Sequence, residues 1–161
     1  MNPDPAVRIT NFSHLCIAVA EMERSLAFYE QVLGLEREFD VTLDGEALDT
    51  VTDDDGSRGR MIGLRVPGSG MIVELLCFGG PTPDEPQPSN RLGYTNMSFN
   101  VDDLDAARQG LKDAGVRAGP IADFDGVRMF FVADPDGTPI EIVEYPGGAS
   151  TNLEYQRDTT R

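Results

Sequence analysis

Apolar and polar residues alternate with a period of two over several short stretches, and follow a helical period over two others. Residues 9–19 place His14, Cys16 and Ala18 on one face and Leu15, Ile17 and Val19 on the other, which predicts a first strand. In residues 21–33, Met22, Leu26, Tyr29 and Leu33 recur at helical spacing, and Gly34 suits the stop. That stripe is core packing rather than chemistry. Residues 36–43 predict a strand, and residues 60–66 and 71–78 a hairpin across the Pro- and Gly-containing segment 67–70. Between them, residues 44–59 are acidic and glycine-punctuated, with Asp53, Asp54 and Asp55 in succession. The carbonyl and bidentate-glutamate spacing of an EF-hand loop is missing, so the stretch is expected to be a solvated loop, placed where it can act as a lid.

The pattern then restarts. Residues 79–91 hold four prolines and predict an extended linker. Residues 92–101 form a strand pattern with Asn96, Ser98 and Asn100 on one face. Asp102 or Asp103 caps a helix over 104–114 that Gly115 ends. Strands are expected at 117–121, 128–133 and 139–145, a loose arm at 1–8 and a flexible tail from 147 to 161.

The last strand follows Asp134, Pro135, Asp136 and Gly137, which are strong turn formers. Its alternation puts Glu141, Val143 and Tyr145 on one face and Ile140, Ile142 and Glu144 on the other. Glu141 sits mid-strand among apolar residues, where a carboxylate needs a proton, a cation or a metal as partner. A faint duplication supplies candidates. Aligning His14–Glu23 with Asn96–Asp105 sets Val19 over Val101 and Met22 over Leu104. Each copy closes with an apolar strand carrying one glutamate, Glu74 in the first and Glu141 in the second. His14 thus matches Asn96, and Glu74 matches Glu141, around a pseudo-twofold axis.

These two halves resemble the vicinal oxygen chelate superfamily, which includes glyoxalase I, methylmalonyl-CoA epimerase, extradiol dioxygenases and bleomycin-resistance proteins. The resemblance rests on His14 with the following segment 21–35, and on Asp134–Gly137 with 140–144. It implies an α+β fold of two βαβββ modules whose mixed sheets curl around a central cavity. The chain is then a single domain over residues 1–161, with module one at 9–78 and module two at 92–146. The resemblance also implies metal ligands at His14, Glu74, Asn96 and Glu141, and a divalent ion such as Zn, Ni, Co, Mn or Fe. Asn96 is a departure, because most metal-binding relatives have histidine there. It is expected to be a weaker amide ligand, or to bond backbone or substrate.

Composition narrows the function. A net charge of -15 and a pI near 4.2 repel phosphate backbones and anionic membranes, so neither nucleic acid nor a membrane is expected as partner. No apolar run reaches the roughly 20 residues that span a bilayer, and the first residues lack a signal-peptide pattern. Cys16 and Cys77, the only cysteines, lie in apolar strand patterns and are expected to be reduced core thiols of a cytoplasmic protein. By family resemblance and the usual isologous pairing, a homodimer is expected.

The chemistry follows from the donor set. Without a metal, two close carboxylates force a proton onto one of them; a divalent ion neutralises both. The resemblance implies an isomerase or lyase acting through a metal-stabilised enolate on a small carbonyl substrate, with Glu141 or Glu74 as base. Arg128 is either a candidate to hold a substrate carboxylate through its planar fork or a surface strand residue. An Fe(II) ring-cleaving dioxygenase usually wants two histidines, and His14 is the only one in the chain. A metal-free drug-binding protein is the third reading; the retained glutamates count against it.

Overall fold

The computed structural model describes residues 7, 11–78 and 93–159. The expected linker, and nearly all of the expected N-terminal arm, lie outside these residues. The chain forms two compact units, Met1–Pro81 and Thr82–Arg161.

The first unit runs β1 (His14–Ala18), α1 (Met22–Leu26) continuing as a π-helical turn (Ala27–Val32), β2 (Glu36–Leu43), α2 (Glu46–Thr52), β3 (Gly59–Arg65) and β4 (Ile72–Cys77). Its sheet has the order β1-β4-β3-β2, with β1 parallel to β4 and the other pairs antiparallel. The second unit runs β5 (Met97–Asn100), α3 (Leu104–Asp113), β6 (Ala122–Phe124), β7 (Val127–Ala133) and β8 (Pro139–Glu144). Its order, β5-β8-β7-β6, repeats the first, again with one parallel and two antiparallel pairs. The fold is therefore α+β, with two βαβββ units and two open four-stranded mixed sheets.

Each sheet has one dry face. In the first unit Ile17, Ile62, Leu64, Val73 and Leu75 are buried together with Met22, Leu26 and Tyr29. In the second, Phe130, Val132, Ile140 and Ile142 are buried together with Leu104 and Leu111. Truncating any of these large side chains to alanine costs about 2–5 kcal/mol. The opposite faces carry the polar residues of the alternation, His14, Cys16 and Glu74 in one sheet and Ser98 and Glu141 in the other.

Local chemistry explains the ends of the helices. The Glu21 carboxylate caps α1 by accepting from the backbone N–H groups of Glu23 and Arg24. Asp103 caps α3 by accepting from Ala106 N–H. Gly34 and Gly115 follow the helices with φ of 76° and 79°, the left-handed region that a side chain disfavours. The π turn was not expected. Its i→i+5 bonds include Leu33 N–H to Phe28 O at 3.0 Å. It accompanies the burial of two consecutive aromatics, Phe28 and Tyr29, whose rings meet edge to face at 5.2 Å.

Several expectations are corrected. The acidic stretch 44–59 is not all loop, since α2 occupies Glu46–Thr52 and ends at Asp53, itself left-handed with φ 55°. Asp49 accepts from Ser57 N–H, which pins the following turn. Residues 117–121 are not a strand; the edge strand is β6, one hairpin turn before β7. Residues 122–128 form that hairpin. Where a flexible tail was expected, a 3-10 turn (Pro146–Gly148) leads into α4 (Asn152–Thr159), and Tyr155 stacks on Tyr145 at 5.7 Å. Cys16 is exposed and Cys77 only half-buried, so neither is a core thiol. Among the described residues, no helix is long and apolar enough to cross a membrane.

Candidate functional site

In the first unit, the parallel register of β1 on β4 sets Cys16 beside Glu74 and brings His14 within reach of the same carboxylate. His14 Nε2 lies 3.4 Å from Glu74 Oε2. The other ring nitrogen, Nδ1, lies 3.0 Å from Ser13 Oγ. The two contacts leave two tautomers open. Ser13 donating to Nδ1 puts the proton on Nε2, toward Glu74. Ser13 accepting from Nδ1 frees Nε2 as a ligand. The imidazole is half exposed while the Glu74 side chain is mostly covered, at 43% and 13%. Although the residue as a whole is exposed, partial desolvation of the Cys16 thiol against the sheet, reinforced by the Glu74 charge, pushes it above its ordinary range. It stays protonated at neutral pH and is no ready nucleophile.

The second unit repeats the arrangement with an amide in place of the imidazole. Asn96 stands one residue before β5, not inside it. Its Nδ2 donates to Glu141 Oε2 at 3.1 Å, and its Oδ1 accepts from Thr95 Oγ1 at 3.0 Å. Glu141 is flanked in the sheet by Ser98 on β5 and Phe131 on β7. The partner that a mid-strand glutamate demanded is thus, within this unit, the Asn96 amide. Tyr145 follows on the same face, and burial, then the Glu141 charge, raises its hydroxyl pKa.

Arg128 is engaged elsewhere. It pairs in register with Glu144, on the α3 side of the sheet. Its guanidinium contacts Asp105 at 2.7 Å and Glu144 at 3.5 Å. Glu144 also accepts from Leu104 N–H at 2.6 Å, at the start of α3. Its fork therefore ties a helix to its sheet and is already occupied by two carboxylates, unlike the free clamp expected for a substrate.

Among the described residues, no three His, Cys, Asp or Glu side chains stand close enough to hold a metal ion. Each unit brings together one pair, His14 with Glu74 and Asn96 with Glu141. Imidazole nitrogen, carboxylate oxygen and amide oxygen are all competent donors for a divalent ion, so the residue types fit one. Asn96 fits least well as placed, because its nitrogen faces Glu141 and its oxygen already accepts a hydrogen bond.

Two aromatic side chains on the glutamate faces of the sheets, Phe131 and Phe39, were not expected. Phe131 was legible, because it lies directly opposite Glu141. Phe39 was signalled only by Gly63, a glycine in the middle of a strand.

This repeated fold, with a glutamate at the same place in each half, is that of a known superfamily. The model of the Glyoxalase/Bleomycin resistance protein/Dioxygenase superfamily matches residues 11–142, and the chain belongs to it. The chain is similar to YwkD of Bacillus subtilis, an uncharacterized protein, with 29% identity over 84% of this chain and 98% of that one. It is also similar to a lactoylglutathione lyase of Pseudomonas aeruginosa, 30% identical over 98% of this chain and 93% of the enzyme. A glyoxalase family protein from Bacillus cereus shares the fold with a TM-score of 0.76 at 21% identity, covering 86% of this chain and 96% of that one. So does TnmS3, an antibiotic binding protein from a Streptomyces species, with a TM-score of 0.60 at 18% identity, covering 86% and 98%.

Proposed function

We propose that this protein is a divalent-metal-dependent isomerase or lyase that labilises a C–H bond next to a carbonyl of a small substrate. The observation that carries the reading is the mirrored pairing of each strand glutamate with a nitrogen-bearing side chain, His14 with Glu74 and Asn96 with Glu141. Similarity to a lactoylglutathione lyase supports the same class. His14, Glu74 and Glu141 are the proposed ligands, with the Asn96 amide oxygen as a weak fourth. A divalent ion bound there supplies Lewis-acid charge where oxygen becomes negative.

The chain's own groups do the rest. Asn96 holds Oε2 of Glu141 by its amide N–H, so the other carboxylate oxygen is left to accept the α proton. Glu74 is the second candidate base, steadied by His14. Ser13, on the far nitrogen of His14, fixes the ring's rotation. A homodimer in the cytoplasm is part of the proposal; light scattering at micromolar concentration is expected to give twice the chain mass, and a monomer would contradict it.

Heavy water tests the reaction class. Metal-loaded protein would be incubated with α-hydroxyketones, α-ketoaldehyde thiol adducts and acyl thioesters. Deuterium should enter the α position, and Glu141→Gln and Glu74→Gln should each abolish it. Conversion with oxygen uptake and no α exchange would assign the dioxygenase reaction instead. Tight binding of an apolar drug with no turnover would assign the sequestering role, for which the fold shared with an antibiotic binding protein is the supporting observation.

A further inference from the structure

Gly63 sits in the middle of β3, with Glu74 opposite it on β4 and Phe39 opposite it on β2. Its backbone φ is not in the left-handed region, so conformation does not demand a glycine there. Space does. A Cβ on Gly63 would come within 2.2 Å of Phe39 Cε1, 2.3 Å of Cζ and 2.8 Å of Cδ1. The Phe39 ring therefore leans off its own strand and covers the Gly63 position of β3, on the face of the sheet that carries Glu74. Val41, Met61 and Leu76 share this face by alternation and register. Val41 is 38% exposed, and Phe39, Met61 and Leu76 are only partly covered. An apolar floor thus begins one strand away from the His14–Glu74 pair, on the same side of the sheet.

The second unit reaches the same composition by another route. There the position opposite Glu141 is Phe131 itself, 39% exposed. A phenyl ring on the glutamate-bearing face of each sheet, over a glycine in one and directly opposite the glutamate in the other, is the recurring feature.

We infer that Phe39, seated on Gly63, is the specificity contact of the site, and that it selects carbonyl substrates bearing a planar apolar group, such as an aryl substituent, over short alkyl ones. The inference rests on the proposed metal chelation at His14 and Glu74. A ligand whose oxygens engage that pair extends its next substituent over the ring, where offset stacking favours a planar group. Phe39 touches no proposed ligand residue in this role; it acts on the substrate's remote part, which sets discrimination rather than chemistry.

Two chelating probes separate the inference from the reading beneath it. Benzohydroxamate and acetohydroxamate carry the same pair of oxygens and differ in the aryl group. Both would be titrated calorimetrically into nickel-loaded protein, and the readout is the ratio of their affinities. Phe39→Leu and Gly63→Ala should each reduce the aryl preference by about tenfold, the upper range for one aromatic pair, while metal content stays at the wild-type level. Phe39→Tyr should restore it. Gly63→Ala displaces the ring without removing it, and Phe39→Leu keeps the bulk without the ring, so neither variant depends on the other's folding. Both probes binding, with a ratio that neither variant moves, would overturn the inference and leave the metal reading intact. Binding of neither probe would overturn the metal reading. In that case benzyl alcohol, followed by the Gly63 amide resonance, decides the platform separately. A shift lost in Phe39→Leu sustains the apolar contact, and no shift overturns it.

Discussion

The Asn96 side chain donates from Nδ2 to Oε2 of Glu141 at 3.1 Å, at the place where the first half of the chain sets His14 against Glu74. An amide can serve here in two ways, as a ligand through oxygen or as the group that orients the glutamate. Its oxygen already accepts from Thr95, so orientation is the better-supported role. Loss of an orienting partner typically costs 10–100-fold in metal affinity, so Asn96→Ala should weaken binding by about tenfold. Asn96→His should tighten it, since imidazole is the stronger donor. Competition with a chromophoric chelator measures both. If neither variant moves the affinity, Asn96 acts on neither the metal nor Glu141.

Ser25 is fully buried, and among the described residues its hydroxyl is a buried side-chain group with no hydrogen-bond partner. Burying an unsatisfied polar group costs about 1–3 kcal/mol. Ser25→Ala removes the hydroxyl without opening a large cavity, and should raise the urea midpoint with no change in slope. A fall in midpoint of more than about 1 kcal/mol equivalent would show that the hydroxyl is satisfied in solution.

Much of this was legible because alternation reports directly on which face a side chain occupies. Residues 36–43 matched the strand as observed, the stop at Gly34 followed from local chemistry, and of the two aspartates expected to cap the second helix, Asp102 or Asp103, it is Asp103 that does so. The duplication placed His14 against Asn96, and the register of both parallel strand pairs agrees with it. What alternation could not show was three-dimensional. Arg128 looked like a substrate clamp because nothing in the pattern says that Asp105, far off in sequence, stands 2.7 Å away. The helix at Glu46–Thr52 was hidden by its acidic, glycine-flanked composition. The π turn leaves the apolar spacing of Met22, Leu26 and Tyr29 intact, so periodicity alone reads it as ordinary helix.

Acid should loosen the first unit in a defined direction. A hydrogen bond from Arg37 holds Glu30 below the usual carboxylate range, and one from Arg60 does the same for Asp40. A group whose folded pKa is lowered contributes stability above its unfolded value, about 4, and that contribution fades as pH falls through the folded value. Both pairs are exposed, so the contribution is small. Urea midpoints of wild type and Arg60→Met should therefore differ most near neutrality and converge as pH drops below about 4. A difference that grows with acid would contradict the assignment.

If His14, Glu74 and Glu141 are ligands of a divalent ion, the metal content of the protein depends on all three. Protein purified without chelator would be analysed for its elements, then stripped and reloaded with zinc, nickel, cobalt, manganese and iron in turn. Up to one divalent ion per chain is expected in the wild type, with most of it lost in His14→Ala, Glu74→Gln and Glu141→Gln. No bound metal under any loading condition, or metal retained in all three variants, would contradict it.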